Sequence, residues 1–175
     1  MTSTTSLSTL TGDYVIDPTG TRIGFVARHT MASRVRGRFD DFEGALRLDG
    51  DDPSRSDVRL AIRSHSIRTG SEQRDGHLRG RFLRVGDHPS ITFTSTGAER
   101  TGEAAFRLTG DLTMCGVTRP VALDLTLTGD GDRVRFGGGA TIDRLDWGVN
   151  WNAATALLVA REVVLELDVT ATRRP

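Results

Sequence analysis

Apolar and polar residues alternate in eight separate runs of this chain, and no other feature constrains the fold as tightly. Ile23, Phe25 and Ala27 alternate with Arg22, Gly24 and Arg28, with Val26 breaking the pattern. Phe42, Gly44, Leu46 and Leu48 form a second series, and Val58, Leu60 and Ile62 a third. Ile91 and Phe93 follow, then Phe106, Leu108, Gly110, Leu112 and Met114. The last three series are Leu123–Leu125–Leu127, Val134–Phe136–Gly138–Ala140–Ile142 and Val163–Leu165–Leu167–Val169. A strand points successive side chains to opposite faces, so a period of two predicts strands with one buried and one solvated face. Antiparallel sheets carry that pattern.

Turn chemistry separates many of the runs: Asp49-Gly50-Asp51-Asp52-Pro53, Thr101-Gly102 and Thr128-Gly129-Asp130-Gly131-Asp132. Asp130-Gly131 predicts a tight hairpin. The phase shift between Phe39 and Phe42 predicts a bulge at Asp40-Asp41. Eight amphipathic strands can close into a barrel or pack as a two-sheet sandwich. Residues 104–114 and 132–143 are each long enough to span about 30 Å at ~3.3 Å per residue, which favours the barrel. Glycines fall inside the inward series at Gly37, Gly44, Gly110 and Gly138. They either leave space inside or relieve strain where a barrel coils. Few aromatics, only ten in all, favour a hollow that holds a ligand.

Two segments lack the alternation. In residues 64–89, Ser71 is an N-cap candidate with Glu72 in the following turn, which predicts a short helix over Ser71–Leu78. Leu78, Phe82 and Leu83 would face inward from that connection. Trp147 to Leu158 carries both tryptophans, Trp147 and Trp151, and is expected to close one end of the barrel or flank its mouth.

The chain has 175 residues, enough for a single domain with its own core, expected over 13–172. Residues 1–12 are Ser/Thr-rich and read as a flexible tail. The tail has no basic start, apolar run or cleavage site, which predicts no leader and a cytoplasmic protein. No stretch reaches the ~18 apolar residues of a membrane span. Basic and acidic side chains balance at 23 each, which gives no electrostatic case for nucleic acid or an anionic membrane surface. One cysteine, Cys115, excludes an internal disulfide. The oligomeric state is open and a homodimer is compatible with the sequence.

Catalytic signatures are weak. His29, His65, His77 and His88 make no HxH, HExxH or His/Cys cluster, so no metal and no cofactor are expected. His29 continues the inward series from Ile23 and could meet a ligand head group or simply pair with a neighbour. Arg74, Asp75 and His77 could bind a polar group, but tying the helical connection to the barrel is the favoured role. Arg63, Arg68, Arg79, Arg81 and Arg84 make that stretch basic, as an exposed charged loop would be. Cys115 lacks a nearby base in sequence. GxSxG elbows and phosphate-binding glycine loops are absent, and Gly137-Gly138-Gly139 reads as a bend within a strand.

Six segments then occur in a consistent order: Tyr14-Val-Ile-Asp17-Pro18 with Phe25 and His29; Val35-Arg-Gly37-Arg-Phe39 with Phe42; Ser66-Ile67-Arg-Thr69-Gly70 with Arg74-Asp75-Gly-His77-Leu78; Pro89-Ser-Ile-Thr-Phe93; Gly110 to Val121; and Arg144-Leu-Asp146-Trp147-Gly148. Together they resemble the YceI-like proteins, from about Tyr14 to Thr170. The resemblance implies an all-β, eight-stranded antiparallel lipocalin-like barrel with a deep apolar tunnel. It also implies binding of polyisoprenoids, such as isoprenoid quinones or their precursors, or of other long-chain lipids. Three departures stand out. Tyr14 replaces the usual first-strand Trp, and Cys115 replaces the usual His of an LT-x-HGVT segment. The stretch after His77-Leu78 reads Gly80-Arg-Phe82-Leu83-Arg84, one residue short and unlike the family's Asp-Phe-Phe-Asp pattern.

The expected function is carriage or storage of a long apolar ligand, most closely a polyisoprenoid or isoprenoid quinone, without catalysis. Stable membrane insertion and nucleic-acid binding are not expected. The expected ligand contacts are Ile23, Phe25 and His29 on one run, then Phe39, Phe42, Leu60 and Ile62. Leu78 and Phe82 come from the connection, Phe93, Leu112, Met114 and Phe136 from later strands, and Trp147 and Trp151 from the closing segment. An enzyme acting on an isoprenoid or lipid would need His29, His77 and a carboxylate to converge inside the barrel. A structural or stress-linked barrel would have a filled core.

Overall fold

A computed structural model of the chain describes residues 7–29, 34–129, 132–149 and 159–174. The eight alternating runs all form strands, and three further strands join them. In chain order the strands are β1 (Gly12–Ile16), β2 (Arg22–His29), β3 (Arg34–Phe39), β4 (Phe42–Leu48), β5 (Asp57–Arg63) and β6 (Ile67–Arg68). Then come β7 (Ser90–Arg100), β8 (Ala105–Met114), β9 (Val117–Gly129), β10 (Arg133–Asp143) and β11 (Val159–Arg173). The helix α1 (Glu72–His77) lies between β6 and β7 and runs on into a π turn over Leu78–Phe82. As the sequence predicts, Ser71 caps α1: its side chain accepts a hydrogen bond from the Arg74 amide at 3.3 Å.

Eight strands close an antiparallel ring in the order β1-β4-β5-β7-β8-β9-β10-β11, with β11 returning to β1. The long β11 makes closure possible. Its C-terminal end pairs with β1, Tyr14 opposite Arg173, and its earlier part pairs with β2, Leu165 opposite Phe25. β1 and β2 are thus two halves of one wall, separated by the Pro18–Gly20 turn, where Asp17 accepts from the Thr19 amide and hydroxyl. The β2-β3-β6 ribbon continues the sheet at the α1 end.

Asp40-Asp41 corrects the expected bulge. β3 ends before it and β4 begins after it, so the chain changes partners there, from β2 and β6 to β1 and β5. The backbone groups of the break remain paired, Asp40 N–H with Ser66 O and Asp41 O with Arg63 N–H. The irregularities in pairing occur instead at Ser95–Gly97 on β7 and between Val159 and Val163 on β11. The expected Asp130-Gly131 hairpin lies outside the described residues, although the flanking β9 and β10 pair antiparallel.

The stretch read as a tail is structured from Leu7 on. Leu7–Leu10 is a single 3-10 turn and Leu10 is only 4% exposed. Composition hid this because two leucines among serines and threonines carry no periodic signal.

Alternation is kept around the barrel. Inward residues such as Leu46, Leu108, Leu123 and Val134 are buried, while outward charges pair across strands. Arg135 grips Asp168 with two bonds of 2.7 and 2.6 Å, and Arg107 meets Asp124 at 3.0 Å. The even charge balance is therefore spent largely on the outer face.

Candidate functional site: an apolar tunnel

The barrel is hollow. A cavity of about 370 Å³ runs through it, within the ~300–1,000 Å³ range of small-molecule sites. Its wall includes both Phe106 and Met114 of β8. Eight residues of strand at ~3.3 Å each, inclined as barrel strands are, give a height of roughly 20 Å. The space is therefore long and narrow, and nearly all of its lining is aliphatic or aromatic.

Eleven of the fifteen expected contact residues line this cavity. Ile23, Phe25 and Phe39 do so from the β2–β3 side, with Leu60 and Ile62 from β5. Phe93, Leu112, Met114 and Phe136 face it from the later strands, and Leu78 and Phe82 from the connection after α1. Phe42 and Trp147 do not line it. Both are buried, Trp147 to 2% exposure, and they are packed in the wall and end structure instead. The Trp147 indole N–H donates to Leu112 O at 2.8 Å, which makes this side chain a tie between the turn after β10 and the last part of β8. The side chain of His29 and all of Trp151 lie outside the described residues.

Two of the inward glycines, Gly37 and Gly110, act differently from either expectation. A Cβ on Gly37 would run into the Phe25 ring, and one on Gly110 into the Phe93 ring. Each glycine lets a ring lie flat against the wall, and the ring then becomes part of the tunnel surface. Gly138 instead permits close strand approach, since a Cβ there would overlap Asp124 O.

The two ends differ in chemistry. At the α1 end, Arg74, His77 and Arg144 reach the cavity. Arg144 is 4% exposed, and its guanidinium donates to Val149 O at 2.7 Å and Ala160 O at 3.1 Å. Burial pulls its pKa down, while neighbouring Asp143 works in the opposite direction. Arginine nevertheless stays charged in proteins. Arg74 donates to Thr69 Oγ1 and Thr69 O at 2.8 and 2.7 Å, and buried Asp75 accepts from the Thr69 amide and hydroxyl at 2.9 and 2.5 Å. Thr69 is thus the hub that ties α1 to the barrel. The favoured structural role of Arg74 and Asp75 describes these contacts, although Arg74 also faces the tunnel. At the opposite end the lining consists of Leu10, Leu48, Asp49, Gly50, Pro53 and Ser56. Sequence reasoning did not single out Leu10 or Arg144. The only available signal for Arg144 was its place in the Arg144–Gly148 segment.

Cys115 closes the β8–β9 hairpin. Its φ is 53° and that of Gly116 is 76°, the two left-handed positions of a tight two-residue turn. The thiol is buried within 3.5 Å of Phe82 O and Leu83 O and can donate to either. Burial pushes its pKa up, against the pull of the Arg84 guanidinium. A neutral thiol packed on the connection suits a structural role. Among the described residues no three His, Cys, Asp or Glu side chains group as metal ligands would.

These features define a class: a lipocalin-like antiparallel barrel enclosing an apolar, chain-shaped cavity with a polar end. The YceI-like domain family matches residues 14–171, and the chain belongs to that family. A UPF0312 protein of Pseudomonas paraeruginosa is 37% identical over 174 residues, covering 94% of this chain and 89% of that one. A UPF0312 protein of Pectobacterium carotovorum is 37% identical over 176 residues, covering 95% and 90%. Among solved structures, Burkholderia cenocepacia BcnA shares the fold with a TM-score of 0.84 at 22% identity, covering 90% of this chain and 99% of BcnA. A polyisoprenoid binding domain from Saccharophagus degradans has a TM-score of 0.75 at 16% identity, covering 92% and 98%.

Proposed function

We propose that this protein binds a single long apolar chain inside its barrel, most closely a polyisoprenoid or isoprenoid quinone, and carries or stores it without chemical change. The observation that carries this reading is the continuous tunnel with an almost wholly apolar wall and the cationic side chains Arg74 and Arg144, with His77, at the α1 end. The polyisoprenoid binding domain of Saccharophagus degradans, similar in fold, supports the ligand class. Every isoprene unit moved from water to that wall gains about 25 cal/mol per Å² of apolar area removed. A few hundred Å² then gives several kcal/mol before ordering costs. The head group would lie by half-buried Arg74, exposed His77 and buried Arg144, whose N–H groups can meet a carbonyl, hydroxyl or acidic oxygen. The chain would run away from them toward Leu10. In this reading the protein works in the cytoplasm, alone or as a homodimer.

Calorimetric titration with an isoprenoid quinone tests this. The expected result is saturable one-to-one uptake with a negative heat-capacity change, the signature of buried apolar area. No heat and no uptake, for the quinone and for other long-chain lipids alike, would overturn it.

A further inference from the structure

At the tunnel end opposite α1, a piece of chain that precedes the barrel forms part of the lining. Leu10 belongs to the Leu7–Leu10 turn, is 4% exposed, and is part of the cavity surface. A single turn of four residues has no stability of its own, so its position depends on bonds to the barrel. Tyr14 Oη donates to Leu10 O at 2.9 Å. Arg173, at the far end of β11, donates to Thr11 O at 2.8 Å, Thr9 O at 2.9 Å and Tyr14 Oη at 3.0 Å. Thr11 Oγ1 accepts from the Gly50 amide at 2.9 Å, which joins the segment to the β4–β5 turn. Gly12 makes the latch sterically feasible, since a Cβ there would overlap the Arg173 guanidinium.

Asp49 and Ser56, the polar side chains near this floor, bond to backbone amides of the β4–β5 turn. Asp49 accepts from the Asp51 and Asp52 amides at 3.1 and 2.9 Å, and Ser56 Oγ accepts from the Asp49 amide at 2.9 Å. A chain arriving from the α1 end would meet the Leu10 and Leu48 side chains there, as suits a hydrocarbon terminus.

We infer that Leu10 is the residue that sets the longest chain the tunnel accepts, held in place by the Arg173–Tyr14 latch. The inference rests on the carriage reading above and adds the determinant of ligand length to it.

The test is native mass spectrometry of the full-length protein with an equimolar series of all-trans prenyl alcohols, each longer than the last by one isoprene unit. The wild type should show a cut-off length. Leu10→Ala should move the cut-off to a longer alcohol. The ratio of the first excluded alcohol to the last accepted one should rise about tenfold or more, the discrimination an apolar pocket shows for a methylene-sized mismatch. Arg173→Gln, which leaves the floor leucine but removes its latch, should admit longer alcohols as well, and it stands in if Leu10→Ala fails to fold. An unchanged cut-off in the folded variants would overturn the inference while leaving carriage intact. No alcohol bound to the wild type would overturn the inference together with the carriage reading for prenyl chains.

Discussion

The Trp147 indole Nε1 lies 2.8 Å from the backbone carbonyl oxygen of Leu112 and donates to it, linking the turn after β10 to a strand on another part of the barrel wall. The ring is 2% exposed, so the bond forms away from water. Trp147→Phe keeps most of the volume but loses the donor, and should cost about 1 kcal/mol or somewhat more. Trp147→Ala leaves a large cavity as well, and should cost about 3–5 kcal/mol. Urea unfolding of the two variants checks the order. Equal losses would mean that the hydrogen bond contributes nothing separable from packing.

Cys115 should behave as a shielded thiol. Burial raises its pKa above the ordinary thiol value in the folded state, so the fold favours the neutral form. Its contribution to stability is complete below the ordinary thiol pKa and is lost as pH rises through the folded-state value. Thiol alkylation at mildly alkaline pH should be slow in the native protein and fast in urea. Rapid modification of the native protein would contradict the burial assigned to Sγ.

The Arg135–Asp168 pair gives the opposite pH dependence. Hydrogen bonding from Arg135 holds the Asp168 carboxyl below the ordinary aspartate range. A carboxylate lowered on folding adds stability above its unfolded pKa, and that part is lost as pH falls through its folded value. Both groups are about half exposed, so the effect is small and screened by salt. Asp168→Asn should lower the urea midpoint slightly at neutral pH, and the difference from wild type should vanish in acid. A difference that persists unchanged in strong acid would argue against the pair as its source.

Leu60 tests the tunnel itself. It faces the cavity from the middle of β5, opposite Gly44 on β4 and Phe93 on β7. Leu60→Trp places a larger ring in open space rather than in a filled core, so the fold should survive while chain uptake is blocked. Circular dichroism with lipid titration checks both halves. Undiminished uptake by a folded Leu60→Trp protein would place the ligand elsewhere.

The barrel was legible in the sequence because its principal signal is local. The period of two at Leu123–Leu127 or Val163–Val169 reports sidedness directly, and the Ser71 cap announced α1. Periodicity alone missed β1, because its five residues, ended by Asp17-Pro18, are too few for the alternation to register. Parity also says which residues point inward but not whether they meet empty space or other side chains. That is why Phe42 and Trp147 are buried yet do not line the tunnel, while Phe25 and Phe93 lie open to it over their glycines. The floor was illegible for a different reason. Leu10 is fixed by Arg173, more than 160 residues away in sequence, and no local pattern encodes that contact.

The central claim is that the barrel interior belongs to one long apolar molecule. The most direct test is native mass spectrometry of gently purified protein, followed by organic extraction and identification of whatever is released. The account predicts a single-ligand mass increment and an extract dominated by one class of long-chain compound, most closely a polyisoprenoid or isoprenoid quinone. A ligand-free mass, with no uptake when quinones and long-chain lipids are supplied, would contradict it.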